Sequence, residues 1–407
     1  MLPLARAGWA RSTMPRVLNR RRVLSAFLLV ASLVAALPVR AQTGKPSALL
    51  SAVDAGAFPA MQTYALVNDV AGQRISGLAA KDFALAENGQ PVTGLQTAEA
   101  DVGVQVVFAI DSSVAFKTRD GNGVTRLDYV KQALADFAQT KPWMKTGIDD
   151  VTVVAAEAPV VEHSNDTGIV AHAVAGYQST FAGVADSFTL VNDALAFASD
   201  ATRRPGMRRF VIFISAGFQR PDVQGQVAAA AARATSAGVP VYTLYVGPLG
   251  AGNTLPAQNL KKLADATGGQ ALILETPQSF NPIFQLLADQ GRQYQLSYRS
   301  RLAATGQNQL SLAVKLADGS SVTSTAATFP LRVEAPHINL GSLPPSLVRV
   351  ASASNGAPAD AQPRAYDVPV SIDFPDGHVR DLTLVQLLVD NQVVATQANT
   401  SSVASLV

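Results

Sequence analysis

Between residues 104 and 274, apolar runs of five to eight residues alternate with stretches of helical periodicity. The runs are VQVVFAID (104–111), DVTVVAA (150–156), 159–163, RFVIFIS (209–215), PVYTLYV (240–246) and QALIL (270–274). Strands this continuously apolar are buried on both faces, and helices must cover them, which is the pattern of a mostly parallel sheet. RLDYVKQALADFAQ puts Leu127, Val130, Leu134 and Phe137 on one helical face, and NDALAFASDA, QVAAAAARATSAG, NLKKLADATGG and FNPIFQLLADQG also read as helices. Asp166 opens a further short helix before Gly176, Gly268 closes one, and Trp143 is a packing anchor after the first. The link between 156 and 159 is too short for a helix and predicts one antiparallel edge hairpin. The expected fold is therefore a doubly wound, Rossmann-like α/β domain over 104–290.

β segments flank it. Residues 42–103 contain MQTYALVNDV and the hairpin signal Asn88-Gly89; residues 291–340 contain YQLSYRS, QLSLAVKLADG and STAATFPLRVEA, with a turn at Asp318-Gly319. Each segment is too small to bury a core alone, so the two are expected to pair into one β-sandwich from which the α/β domain projects. Residues 341–366 are rich in Pro, Ala, Ser and Gly and read as a linker. Residues 367–407 read as part of a further, immunoglobulin-like β module, either truncated or completed by another strand.

The first 41 residues hold seven arginines, no acidic residue and an apolar run over 23–39 that ends before Val39-Arg40-Ala41. This reads as a secretory signal peptide, or as an uncleaved N-terminal membrane anchor, and predicts an exported protein in the periplasm, at the cell surface or secreted. Removing the leader leaves 25 basic against 30 acidic residues, a net charge of −5, which offers no footprint for nucleic acid. With no cysteine, disulfides, thiolate catalysis and zinc–thiolate sites are excluded. Four histidines, no Gly-x-Ser-x-Gly elbow and no phosphate-binding glycine loop give no support to an enzyme.

The first strand ends in Asp111-Ser112-Ser113, and ligands of open α/β sheets collect outside the carboxyl ends of the strands where strand order reverses. Taken with ISGLAAKDFALAENGQPV, RLDYVKQAL, TLVNDAL, FVIFISAGF and LKKLADATGGQALIL in this order, VVFAIDSSVAF resembles the von Willebrand factor type A domain, in its bacterial exported form with a β segment ahead of it, over roughly residues 60–300.

That resemblance implies a protein-interaction or adhesion module with a metal-ion-dependent adhesion site, where Mg²⁺ bridges to a carboxylate of the partner. Asp111, Ser113 and Thr189 match the family's ligands. Ala115 stands where a second Ser belongs, and Ala216 where an Asp belongs, so the site is degenerate, because a methyl group cannot ligate a hard cation. Asp186 and Asp222 are the candidates to substitute. The expected contact face comprises the loops 111–123, 183–189 and 216–223, with Ser112, Ala115, Phe116, Gly217 and Phe218 facing a protein partner. Three readings follow: a metal-independent interaction module, Mg²⁺-dependent adhesion through a rescued site, and a small-ligand receptor using the crevice above the sheet.

Overall fold

The computed structural model describes residues 45–407 except 112, 140–142, 157, 182–186, 200–203, 218–223, 343, 352–355, 357, 359–360, 365–367, 401–404 and 407. The expected leader, Ser112, Asp186, Phe218 and Asp222 lie outside the described residues. Among the described residues no helix is long and apolar enough to cross a membrane.

The chain opens with β1 (Ser47–Leu50), β2 (Ala60–Asn68), β3 (Phe83–Glu87), β4 (Gln90–Pro91) and β5 (Gln96–Asp101). The α/β unit follows, with β6 (Val104–Ile110), α1 (Arg126–Gln139), β7 (Asp150–Ala155), β8 (Pro159–Ser164), α2 (Thr167–Gly176) and α3 (Ser187–Ala198). It continues through β9 (Arg208–Ser215), α4 (Gln224–Ala237), β10 (Val241–Val246), α5 (Leu255–Thr267), β11 (Ala271–Leu274) and α6 (Asn281–Gln290). Then come β12 (Arg292–Arg299), β13 (Gly306–Lys315), β14 (Ser321–Thr323), β15 (Ala327–Leu331) and β16 (His337–Leu340). The last strands are β17 (Val368–Asp373), β18 (Leu382–Val389), β19 (Gln392–Thr400) and β20 (Ser405–Leu406).

The α/β sheet has the order β11-β10-β9-β6-β7-β8 and is parallel except for the β7–β8 hairpin at its edge. Alternation along β6 divides the core. Val106, Phe108 and Ile110 pack with Val130 and Phe137 of α1, Val170 of α2 and Phe284 of α6, while Val107 and Ala109 pack with Val191 of α3, Ala230 of α4 and Leu260 of α5. Phe108, Phe137 and Phe284 form an aromatic group with neighbouring centroids 5.0 to 6.5 Å apart, and Trp143 packs on its rim 6.2 Å from Phe284. Helix ends follow local chemistry. The Asp166 carboxylate accepts from Gly168 N (2.7 Å) and Ile169 N (3.0 Å) to cap α2, and Gly268 takes φ +77° to end α5.

The flanking strands build two antiparallel sheets, β1-β2-β12-β5 and β14-β13-β3-β4, with β15 also pairing with β13. Each sheet mixes strands from before and after the α/β unit, and Met61, Ala65, Phe83, Leu85, Tyr294, Leu296, Leu310 and Leu312 share one core. A buried polar group sits at its margin, where the Glu87 carboxylate accepts from Tyr298 Oη (2.9 Å) and Ser300 Oγ (2.8 Å). The α/β unit is inserted between β5 and β12, which are antiparallel neighbours with Asp101 opposite Arg292. At this stem Val102 N and Gly103 N both donate to Gly291 O, at 2.8 and 3.0 Å. Gly103 has φ +78°, and a Cβ there would lie 2.6 Å from Ile148 O, so both its conformation and its surroundings require glycine.

Beyond the sandwich lie two small sheets, β16-β17-β20 and the β18–β19 hairpin. Asp376 ties them back. Its carboxylate accepts from Glu334 N (2.6 Å), His378 N (2.9 Å) and Arg380 Nη1 (2.7 Å), and Arg380 Nη2 donates to Glu334 O (2.6 Å).

Candidate functional site

Strand order reverses between β6 and β9. The chain runs from β6 outward to β7 and β8, then returns to β9 on the other side of β6 and proceeds to β10 and β11. The carboxyl ends of β6 and β9 therefore bracket the crevice where such folds bind. Asp111 follows β6 directly, and its N–H donates to Ile214 O (2.9 Å), carrying the ladder one residue past the strand.

A chain of hydrogen bonds joins the two strand ends. Ser215 Oγ, fully buried, donates to Asp111 Oδ2 (3.0 Å) and accepts from Gly217 N (3.1 Å). Ser113 Oγ donates to Gly217 O (2.8 Å) and accepts from Ala115 N (3.2 Å), which caps the short 3-10 helix Val114–Lys117. Asp111 is 3% exposed and Ser113 is also buried. Arg126, in the first turn of α1, donates from Nη1 to Ala216 O (3.2 Å), so a cation rests against the backbone at the position where the sequence resemblance led us to expect an acidic ligand.

The described residues alone do not make a complete Mg²⁺ site. Ala216 is 1% exposed and offers only a methyl group and a carbonyl already taken by Arg126; Ala115 offers no oxygen from its side chain. Ser113 Oγ already accepts from Ala115 N, and Thr189 lies exposed in the first turn of α3. A hard cation that gives up its waters reluctantly needs more oxygen ligands and more negative charge than one carboxylate and two hydroxyls provide. Among the described residues no three His, Asp or Glu gather into a metal-holding group.

Phe116 requires a correction. The sequence places it on the partner-facing loop, but its ring is 0% exposed and belongs to the core against α1, because the 3-10 turn directs it inward. The same turn directs Val114 outward at 60% exposure, a residue the sequence reading passed over. The signal was available: an apolar pair spaced two apart in a turn capped by Ser113 puts one member in and the other out. Ala115 and Gly217 are half-buried beside it.

A shallow cavity of about 250 Å³ opens at the same edge of the sheet, walled by Arg119, Asp120, Arg126, Tyr129, Pro248 and Glu275. It is open to solvent, and Val124, Val246 and Leu274 line it beside these charged groups. Asp120 is committed there, accepting from Asn122 N (2.8 Å), Val124 N (2.9 Å) and Tyr129 Oη, and the phenol contact leads the bonds that hold its carboxyl below the ordinary range. Away from this end, His163 Nδ1 lies 2.9 Å from Asp150 Oδ2 at the amino end of β7, and His378 packs edge-on against Phe58.

No family model and no curated protein matches the chain. Among solved structures it is similar to proximal thread matrix protein 1 from the mussel byssus, with TM-score 0.35, 12% identity and 50% of each chain covered, including a form with a zinc-occupied MIDAS motif. The chain thus spans about half the length of that protein. It is also similar to the N-terminal domain of TFIIH p34, with TM-score 0.31, 11% identity, and 46% of this chain and 97% of that one covered.

Proposed function

We propose that the protein is an exported protein-interaction module whose contact surface is the carboxyl end of the parallel sheet and which engages its partner without a resident divalent ion. The observation that carries this reading is the set Asp111–Ser215–Gly217–Ser113, which engages Asp111 Oδ2 and the hydroxyls of Ser113 and Ser215 in internal hydrogen bonds. Val114 supplies exposed apolar area at the centre of that end, and Arg126 supplies positive charge beside it. In this reading the sandwich is the mount, the C-terminal strands belong to an immunoglobulin-like module, and the role is binding, as in adhesion or assembly outside the cytoplasm.

Two experiments test it. A photo-crosslinking residue at position 114 in the native host is expected to capture a protein, whereas one at the exposed His172 is not; capture at 172 alone sinks the reading. Thermal unfolding of the full chain in chelator and across Mg²⁺ and Mn²⁺ is expected to show no saturable shift. An ion held only by the native state at 100 times its dissociation constant would add about 2.7 kcal/mol. Such a shift, removed by Asp111→Ala, establishes the Mg²⁺-dependent alternative instead, and Ala115→Ser with Ala216→Asp serves as the positive control.

A further inference from the structure

At the amino end of β9, opposite the contact surface, a cleft of about 490 Å³ lies between the sandwich and the α/β unit. One wall is Leu49 and Leu66 of β1 and β2; the other carries Arg204, Arg208 and Arg209, and Gln293 of β12 closes one side. Among the described residues that line it, none is acidic.

Arg208 is the informative member. It is half-buried, stacks over the Phe210 ring with its guanidinium carbon 5.2 Å from the centroid, and donates from Nη1 to Gln290 Oε1. Both partners are neutral. Burial pulls its pKa below the ordinary arginine range, which is the mark of a cation whose lost hydration has not been replaced by an opposite charge. Arg209 Nε donates to Gln105 Oε1 (3.0 Å), and Gln105 Nε2 donates in turn to Asp150 Oδ2 (2.9 Å), so this guanidinium is held in place from behind by an amide. Arg204 is exposed at the rim.

The walls are fixed relative to each other. Gln293 Nε2 donates to Gly206 O (2.7 Å), and Gly206, at φ +80°, lets the Tyr64 ring approach to where a Cβ would lie 2.7 Å from Tyr64 Cδ2. The cleft is thus a preformed feature between two packed bodies.

We propose that this cleft is a binding site for a small multivalent oxyanion, carrying carboxylate or phosphate groups, with Arg208 as its inner anchor and Arg204 adding positive charge at the rim. Guanidinium groups present paired N–H donors that match carboxylate and phosphate oxygens, and in a partly desolvated cleft such bonds are stronger than at an open surface.

The test is isothermal titration of the full chain with citrate and with inorganic phosphate at constant ionic strength, chloride serving as the matched control. Saturable binding of at least one anion at or below about 1 mM is expected, weakened about tenfold by Arg208→Gln and measurably by Arg204→Gln. Preference for citrate assigns a polycarboxylate ligand; preference for phosphate assigns a phosphate-bearing one. Because Arg208→Gln touches packed groups, Arg204→Gln, at an exposed position, decides the matter if the former does not fold. Absence of saturable binding of both anions, or binding unchanged in the folded variants, overturns the proposal.

Discussion

Ser215 Oγ and Asp111 Oδ2 lie 3.0 Å apart, which locks together the ends of two parallel strands separated by 104 residues of chain. The carboxylate is buried, so its hydrogen-bond donors set its cost. Ser215→Ala removes one donor and leaves the acceptor underground. The expected loss is about 2 kcal/mol, read from the urea midpoint with unchanged slope, since bonds to charged groups contribute roughly 1.5–3 kcal/mol.

Phe116 and Val114 should behave oppositely despite sitting two residues apart. Phe116→Ala empties a site in the core and is expected to destabilise by about 3–5 kcal/mol. Val114→Ala, at 60% exposure, should change stability by less than about 0.5 kcal/mol while lowering crosslink-free capture of the partner. Equal effects on stability would contradict the inward and outward assignment.

Gly103→Ala places a methyl group 2.6 Å from Ile148 O at a backbone angle of φ +78°. A loss of about 1–3 kcal/mol from backbone strain alone is expected, before the clash is counted. Gly72→Ala makes the control, since it has nearly the same φ with nothing within 4 Å, so the difference between the two melting curves isolates the collision.

Asp376 gives a pH signature. Burial on its own raises this carboxyl, but the bonds from Glu334 N, His378 N and Arg380 outweigh it and hold the pKa down at about 2. A carboxyl depressed in the fold stabilises above its unfolded value near 3.8, and that stability drains away as pH falls through about 2. Between pH 4 and 2 the wild type should lose more stability than Asp376→Asn, as followed by a fluorescent probe placed on the β18–β19 hairpin. Parallel curves would show that the clamp contributes nothing.

The strands of the α/β unit were legible because a doubly covered sheet writes itself as unbroken apolar runs; β6, β7 and β9 lie within a residue or two of VQVVFAID, DVTVVAA and RFVIFIS. The edge hairpin was legible from a link too short for a helix, and α1 from the spacing of Leu127, Val130, Leu134 and Phe137. The absence of ligating side chains at Ala115 and Ala216 could also be read directly. What replaced them could not. The Ser215–Asp111 bond and the reach of Arg126 to Ala216 join residues 104 and 90 apart, and no local pattern encodes a long-range polar pairing. Arg208 was invisible for a related reason: its meaning comes from neutral neighbours on α6 and β9, and from a wall contributed by the sandwich.

The α/β unit hangs from β5 and β12 alone in the covalent sense, and those strands part at Asp101 and Arg292, beside the doubled bond to Gly291 O. A force that draws the unit directly away from its mount would load the rungs between β5 and β12 one after another from that open end, as a zipper is loaded, and not all together in shear. Sequential loading yields at the strength of a single rung. The contacts of Tyr64 and Gln293 with Gly206 brace the unit against this peeling, so the resistance of the whole protein to tension is set at its waist and not at the carboxyl end of the parallel sheet.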